Sequence, residues 1–360
     1  MMKYIFSNFI GYKRSQIWGL VWLSLFNSIT VLSQDIHFSQ LTETQMFFNP
    51  ASAGASPSDQ RVALVYRNQW ASISSSPFVT YGMSYDFSIK KRRWRDKHFG
   101  IGTVLFKDVA GDLNLSSFKG ALLVSYHKRV SSNSYLSGGI NLGVRQSSID
   151  FGNAQWGNQY DGYGNNSNMA SNEVFQNQSF TRFDAGVGVI WTMATRNSTI
   201  SSNNAKYLRI GLSAYHLNQS NQSFSNLDTE KGGMTFRAYL MSSIGIYNTN
   251  YAIRPVFHYQ RKFNNQEAMV GLMARARIKG RSHYTGYIKR FDLIFGGYYR
   301  FLYESLIPTL QMNFNSFTFG ISYDVNISGL ALASRNRGGI EFMLKYAPLP
   351  KPNSSNFPRF

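Results

Sequence analysis

The chain has 360 residues, of which 16% are aromatic and 15% charged, with no cysteine and a formal net charge of +19. The lack of cysteine excludes disulfides, thiolate metal sites, cysteine nucleophiles and a lipoprotein anchor. A mean hydropathy of −0.26 excludes a bundle of membrane helices. The 22 Tyr and 28 Phe residues favour strands and membrane interfaces. The positive charge suits nucleic acid, anionic lipid or an acidic protein partner.

Residues 1–33 form a predicted signal peptide. A basic region with Lys13 and Arg14 is followed by the apolar stretch Ile17–Leu32 and by a cleavage position near Ser33. A short membrane anchor is the alternative. No later apolar run reaches the roughly 18 residues of a membrane helix. We therefore expect an exported protein that crosses a membrane only with strands, which argues against a nucleic-acid partner.

Residues 34–60 contain Pro and Gly without a sustained period and predict an irregular N-terminal segment, either a plug or a periplasmic segment. Over residues 61–347 the sequence alternates: Phe317–Asn326 places Phe, Ile, Tyr and Val on one face and Thr, Ser, Asp and Asn on the other. About 14 such segments have the length of tilted membrane strands. Their predicted starts lie near residues 61, 77, 98, 115, 134, 179, 205, 235, 251, 266, 284, 305, 316 and 338.

This pattern predicts an all-β fold, a transmembrane antiparallel β-barrel in the outer membrane. A soluble two-sheet sandwich gives the same alternation. Its strands average about 5 to 6 residues, however, whereas several segments here are longer than ten. The polar face is rich in Gly and Ser, which suits a barrel lumen. Aromatic residues near the predicted strand ends indicate a membrane girdle: Tyr66, Trp70, Tyr81, Trp191, Tyr298, Tyr299 and Tyr346.

The predicted links differ between the two rims. With a periplasmic N-terminus, the periplasmic links include short turns near 130–134, 248–251, 280–283 and 315–316. Residues 90–97 and 196–204 are longer links on this rim. The links 151–178 and 219–234 belong to the opposite rim and are long and rich in Asn, Ser, Gly and Gln. After the last strand, residues 348–360 form a Pro-containing tail, so Tyr346 rather than Phe360 is the expected strand-terminal aromatic.

No local motif indicates an enzyme. The six histidines are scattered, and neither a zinc motif nor a nucleophile elbow nor a phosphate-binding loop occurs. We therefore expect no catalytic residues, no cofactor and no metal. The basic run from Lys90 to Lys97 has three interpretations: a solvated periplasmic turn, a contact for an acidic partner or lipid head groups, and a phosphate-binding patch.

Two further groups are candidate functional residues. Charged residues on the predicted polar faces either form a salt-bridged network, line a passage or bind an inserted segment. They are Asp86, Arg145, Asp184, Arg254, Arg275, Asp292, Arg300, Asp324, Glu341 and Lys345. The long loop offers Trp156, Tyr160, Tyr163 and Phe175, an aromatic and polar mixture that suits contact with a protein. A plain surface loop is the alternative.

Three stretches resemble one family. They are DIHFSQLTETQMFFNPASAG from Asp35, RVALVYRNQW from Arg61, and FGISYDVNISGLALASRNRGGIEFMLKY from Phe319. Together they resemble the PorP/SprF family of outer-membrane proteins of the type IX secretion system, over nearly the whole mature chain. YTGYIKR from Tyr284 and SIDFG from Ser148 fit as well. The residues that match the signature are Phe38, Ser39, Gln40, Asn49, Pro50, Ala51, Gly54, Arg67, Asn68, Gln69, Trp70, Ser322, Tyr323, Asp324, Asn326, Gly338 and Gly339.

The resemblance implies a FadL-like barrel with the N-terminal segment packed under or into the lumen. It implies a role in type IX secretion or gliding motility, in a cell of the Bacteroidota type. The expected partners are other type IX components and a secreted protein, whose C-terminal sorting domain is bound for export and surface anchoring. A FadL-like channel for small hydrophobic solutes is the alternative. An outer-membrane hydrolase would need a His, an acid and a nucleophile in one place.

Overall fold

The computed structural model describes residues 38–348, apart from a set of short internal gaps. These gaps are 90–95, 153, 155, 161, 165, 167–168, 170–177, 196–204, 222–223, 225–230, 280–290, 303 and 330. The predicted signal peptide, nearly all of the predicted tail and most of the basic run lie outside the described residues. Within the described residues, no helix is both long and apolar enough to cross a membrane.

Fourteen antiparallel strands form a closed barrel in which each strand pairs with its neighbours in the sequence and the last pairs with the first. The strands are β1 Gln60–Gln69, β2 Phe78–Ile89, β3 Lys97–Ala110, β4 Leu115–Ser131, β5 Ser134–Ser148, β6 Ser179–Ala194, β7 Lys206–Tyr215, β8 Thr235–Gly245, β9 Tyr251–Lys262, β10 Asn265–Lys279, β11 Phe291–Phe301, β12 Ser305–Phe314, β13 Phe317–Asn326 and β14 Arg337–Tyr346. The predicted barrel and its strand number are confirmed.

Strand β11 is described from Phe291 onward. The predicted start near 284 and the predicted turn at 280–283 lie outside the described residues. Lys279, the last residue of β10, pairs with Phe291 across a register shift in β10.

The alternation of β13 corresponds to the two faces of the barrel wall. Phe319 and Ile321 lie on the outside, whereas Thr318, Ser322 and Asp324 are buried on the inside. The outer face is apolar because lipid offers no hydrogen bonds, and the inner face carries the polar side chains.

The predicted aromatic girdle is correct in part. Tyr81, Trp191 and Tyr346 are exposed on the outer face, but Tyr298 is 1% exposed and lies inside the barrel. Tyr298 and Tyr299 are neighbours in a strand, so their side chains point to opposite faces. The prediction assigned both tyrosines to the membrane-facing side. Only one of two adjacent residues can face the membrane, and Tyr298 is the one that faces inward.

The two longest links, 149–178 and 216–234, lie on the same rim, which we call the long-loop rim, and the opposite rim is the short-turn rim. The long-loop rim carries residues 70–77, 111–114, 149–178, 216–234, 263–264, 302–304 and 327–336. A short helix, α2 (Ala331–Ser334), lies in the last of these. The short-turn rim carries the links 132–133, 246–250 and 315–316 and the described residues 96, 195 and 205. The two long loops predicted from sequence both belong to the long-loop rim.

Residues 38–59, called the N-terminal segment below, precede β1. They contain one turn of helix, α1 (Gln45–Phe48), and a 3₁₀ turn at Pro50–Ser52. Asn49 caps the 3₁₀ turn because its side chain accepts a hydrogen bond from the backbone N–H of Ala51, and Pro50 suits the first position. Nearly every side chain of the segment is buried, although the segment is too short to form a core of its own.

Candidate functional site in the barrel interior

The N-terminal segment lies against the inner wall of the barrel, and its first residues bind a carboxylate of β14. The backbone N–H groups of Ser39 and Gln40 donate to the two oxygens of Glu341, with N···O distances of 2.7 and 3.0 Å. Two successive amides that converge on one carboxylate form a concave anion site. Glu341 is 2% exposed, so these bonds replace the water that the buried charge has lost.

Asp324 of β13 is the second carboxylate at this end. It accepts from the Ser39 hydroxyl at 2.9 Å, from Arg67 at 2.7 Å and from Arg300 at 3.1 Å. Arg300 also pairs with Glu267 of β10 at 3.0 Å. We call Asp324, Glu341, Glu267, Arg67 and Arg300 the ionic anchor. It connects β1, β10, β11, β13 and β14 around the start of the N-terminal segment, and its side chains are all less than a tenth exposed.

The end of the segment is held by a third carboxylate, on β2, the strand next to β1. Asp86 of β2 accepts from the backbone N–H of Gly54 at 2.7 Å and pairs with Arg61 at 2.8 Å. Gly54 has a φ of +66°, a conformation that glycine adopts without strain. A side chain there would also collide with the backbone of Gly100 on β3. Asp86 therefore fixes a sharp turn that only a glycine fits comfortably.

Two histidines bind the carbonyl groups of the same turn. His127 of β4 lies 2.7 Å from the Ala53 oxygen, and His98 of β3 lies 3.1 Å from the Gly54 oxygen. Their rings stack with centroids 4.4 Å apart. The Ser125 hydroxyl donates to the Ala53 oxygen as well, at 2.6 Å. Because buried backbone oxygens need partners, these side chains make an irregular segment tolerable inside the barrel.

Asn49 ties the middle of the segment directly to the backbone of the wall. Its amide nitrogen donates to the carbonyls of Val189 on β6 and Leu212 on β7, at 3.1 and 3.0 Å. Such close approach requires glycine on the wall. A Cβ on Gly139 of β5 would lie 2.5 Å from the backbone nitrogen of Ala51, which is closer than real contacts allow. Glycines on the polar faces of the strands, such as Gly139, thus allow the segment to pack directly against the wall, and we call them the glycine seat.

Polar and charged wall residues hold the remaining part of the segment. Lys345 of β14 forms an ion pair with Glu43, and Arg209 of β7 donates to Gln45. Burial raises the pKa of the Glu43 carboxyl, but attraction from Lys345 and Arg254 outweighs burial and lowers this pKa to about 2. Glu43 is therefore ionised at neutral pH.

Comparisons with known proteins identify the family. A family model described as "Type IX secretion system membrane protein PorP/SprF" matches residues 30–346. The chain belongs to the PorP/SprF family. The resemblance read from the sequence is confirmed, and a type IX secretion membrane protein built as a closed β-barrel is an outer-membrane protein. No curated protein matches the chain.

Solved outer-membrane barrels are only distantly similar. The TodX deltaS2S3 mutant monoaromatic hydrocarbon channel is 8% identical with a TM-score of 0.47, covering 85% of this chain and 94% of its own. The CymD monoaromatic hydrocarbon channel is 12% identical with a TM-score of 0.43, covering 85% and 92%. CdiB from Acinetobacter baumannii is 8% identical with a TM-score of 0.40, covering 80% of this chain, which spans only 60% of CdiB.

The structure brings most of the PorP/SprF signature together. Phe38, Ser39, Gln40, Asn49, Pro50, Ala51 and Gly54 are buried in the N-terminal segment, while Arg67, Ser322 and Asp324 are buried on the inner wall that faces it. Gly338 lets the backbone of Asp324 approach closely, at an irregularity in the pairing of β13 with β14. Asp324 already faces the ionic anchor through the alternation of β13, and Gly338 leaves room for its backbone there.

The other signature residues shape strand ends or face outward. Trp70 has a φ of +65° just after β1, and its N–H donates to the Gly338 oxygen at 2.9 Å. Gln69 accepts from Arg67 at 3.3 Å, and the Asn68 amide donates to Tyr66 at 3.2 Å. Asn326 accepts two hydrogen bonds from Ser328 in the turn after β13. Gly339 pairs with Gln69, and Tyr323 is exposed on the outer face.

The predicted lumen charges that do not belong to the ionic anchor also lie on the inner face. Asp184 binds Lys119 of β4 and lies 2.6 Å from His216 Nδ1. The Arg145 guanidinium lies 5.6 Å from the Phe106 ring centroid. Arg254 is half-buried, and Arg275 and Asp292 are buried. Among the described residues, no cluster of three or more His, Asp or Glu side chains is arranged to hold a metal ion.

Residues outside the barrel interior contribute a second candidate region. Tyr160 and Tyr163 of the long loop are 61% and 101% exposed, and the Trp156 ring lies 6.3 Å from Phe151. Phe175 lies outside the described residues. Of the basic run, residues 90–95 also lie outside them, and Asp96 pairs with Arg129 at 3.5 Å.

Sequence reasoning missed several charged and histidine residues of the inner wall, most of which hold the segment. Arg61, Lys119, His98, His127 and Arg209 were not predicted as site residues, although all five lie on the inner face of their strands. The available signal was their place on the polar face of an alternating segment. Reading each strand for inward-facing polar residues of any type would have found them.

Proposed function

We propose that this PorP/SprF-family barrel is a non-enzymatic accessory of type IX secretion. In this proposal it binds the C-terminal sorting domain of a secreted partner, supports its export and anchors it at the cell surface. The N-terminal segment serves as a plug. The supporting observation is that the chain's own N-terminal segment lies on the inner wall, held there by hydrogen bonds to buried carboxylates and by the Glu43–Lys345 ion pair. The surfaces left to a partner are therefore the loops.

The loop 149–178 is the preferred contact surface in this proposal. Hydrogen bonds within the loop connect Gln159 to Asn166 and Met169, at 2.8 and 2.9 Å, and support the exposed Tyr160 and Tyr163. Tyrosine gives a large contact area for little loss of side-chain freedom, which is why it is enriched in binding loops. A loop with its own hydrogen bonds also loses less entropy on binding.

The test uses affinity capture of the sorting domain of a type IX secreted protein by the full barrel in detergent. We expect Tyr160→Ser with Tyr163→Ser to weaken capture by about tenfold or more, because central aromatic contacts carry most of an interface's affinity. Tyr247→Ser is the matched control, since Tyr247 is 66% exposed on the short-turn rim. Unchanged capture by the double variant, or equal loss in the control, would contradict a role for this loop.

The alternative prediction, a FadL-like channel for small hydrophobic solutes, receives less support. A channel needs a continuous passage, whereas residues 38–59 and the ionic anchor lie in the interior of the barrel. Hydrocarbon flux into liposomes that contain the purified barrel would revive the channel. A role in gliding motility stays a prediction from family resemblance.

A further inference from the structure

A pocket of about 310 Å³ lies on the long-loop rim, between β8 and the turn after β9. It is lined by two cations, Lys231 and Arg261, and by apolar side chains that include Met234, Phe236 and Phe263. Phe236 and Phe263 are 51% and 44% exposed. The pocket therefore combines positive charge with exposed aromatic surface at the edge of the membrane-facing wall.

Within the described part of the chain, neither cation has a carboxylate partner. Across the described residues, Arg261 makes one side-chain hydrogen bond, from Nε to the Phe263 oxygen at 3.2 Å, and Lys231 makes no ion pair. The Arg261 bond holds the guanidinium at the turn and leaves its terminal N–H groups to other acceptors. Arginine and lysine that lack a carboxylate suit a phosphate, which arginine binds through two parallel hydrogen bonds.

The wall below the pocket is apolar. Going from the rim towards the middle of the strands, Phe236 pairs with Arg261, Ala238 with Tyr259, and Leu240 with Phe257. Phe257 is exposed on the outer face, and the small Ala238 leaves room between larger neighbours. A ligand whose phosphate binds the cations would therefore have its remaining part against apolar side chains facing the membrane.

We propose that this pocket, the rim pocket, binds an acylated lipid that carries a phosphate on its headgroup. The phosphate binds Arg261 and Lys231, and an acyl chain lies along Phe236, Leu240 and Phe257. Basic residues next to an apolar wall recognise lipid head groups in this way, because both parts of the lipid are satisfied at once. The bound lipid would come from the membrane leaflet next to the long-loop rim.

The test titrates the purified full-length barrel in detergent with monophosphoryl lipid A and counts bound lipids by native mass spectrometry. We expect Lys231→Gln with Arg261→Gln to raise the apparent Kd about fivefold or more, because charge-assisted contacts are lost. Lys128→Gln with Lys206→Gln is the control, since both are exposed cations at the opposite rim and the charge change is the same. Heat-dependent migration in gels checks that each variant is folded.

Further arms distinguish the lipid from other ligands. Arg261→Lys should retain most of the binding, and it serves as the test if the double variant does not fold. Inorganic phosphate at the same concentration should not displace the lipid, and phosphate-free dioleoylglycerol should bind more weakly. Equal loss in the control pair, displacement by inorganic phosphate, or equally tight binding of dioleoylglycerol would each overturn the proposal.

Discussion

The two ends of the N-terminal segment are held by different chemistry. At its start, Ser39 and Gln40 donate hydrogen bonds to the buried carboxylates of Glu341 and Asp324, which belong to the ionic anchor. Over residues 49–54, the Asp86–Arg61 ion pair binds the segment, but neutral hydrogen bonds and close packing against wall glycines add to it. The first end depends on charge, whereas the second also depends on the space that the wall glycines leave.

This difference predicts how each end fails. A charge inside the barrel is stable only while its partners are present, so removal of one partner leaves an uncompensated charge. A close contact between backbones is stable only while no side chain intervenes, so a single added methyl group suffices to disturb it. The two ends can therefore be separated by substitutions that change charge or volume.

The largest effect is expected at the ionic anchor. Asp324→Ala removes the carboxylate that binds Arg67 and Arg300 and leaves the two guanidinium groups short of negative charge. Breaking a buried pair in this way costs about 3–5 kcal/mol. We expect this loss in the free energy of unfolding, measured with denaturant in detergent micelles and followed by tryptophan fluorescence.

The control for this substitution is an exposed pair of the same type. Asp96 is 71% exposed where it pairs with Arg129 on the short-turn rim. Asp96→Ala should cost less than about 1 kcal/mol, because solvent screens exposed pairs. If the two Asp→Ala variants were equally stable, burial of the ionic anchor would not matter to the fold.

The second effect is steric and separates two adjacent glycines of β5. Gly139→Ala places a Cβ 2.5 Å from the Ala51 nitrogen, whereas Gly138→Ala meets nothing within 4 Å. We expect Gly139→Ala to cost about 1–3 kcal/mol, as overpacking does. Hydrogen exchange of residues 45–55 should accelerate, while Gly138→Ala should leave that exchange unchanged. Equal exchange in both variants would show that the segment does not need the glycine seat.

Much of the fold could be predicted because alternation with a period of two is a local signal. It indicated that Asp86, Asp324 and Glu341 face inward, as the structure shows. It misplaced Tyr298 because two adjacent tyrosines cannot both face lipid.

The candidate site could be predicted only in its parts. Sequence alone singled out Ser39 and Asp324 as signature residues, but their hydrogen bond joins residues 285 positions apart in the chain. Neither residue indicates its partner, since carboxylates accept from many donors. Closure of β14 onto β1 brings the two ends of the chain together, and this closure is a property of the whole barrel.

The smallest effect concerns the acid dependence of the charged end. The pKa of Glu43 falls from its ordinary value of 4.5 to about 2, since Lys345 and Arg254 outweigh burial. A lowered pKa means that the ion pair contributes its full stability above about pH 4.5 and loses it as the pH falls towards 2. Protease cleavage of the N-terminal segment should therefore increase over that window.

Glu43→Gln should remove this step in the pH profile, because the glutamine does not titrate. Glu304→Gln is the matched control, since Glu304 lies in a link of the long-loop rim and is exposed. A pH profile in which Glu43→Gln and Glu304→Gln behave alike would show that other carboxylates control the acid sensitivity. The ionic anchor would then be the first group to examine, because Asp324 and Glu341 are the other carboxylates in contact with the segment at its charged end.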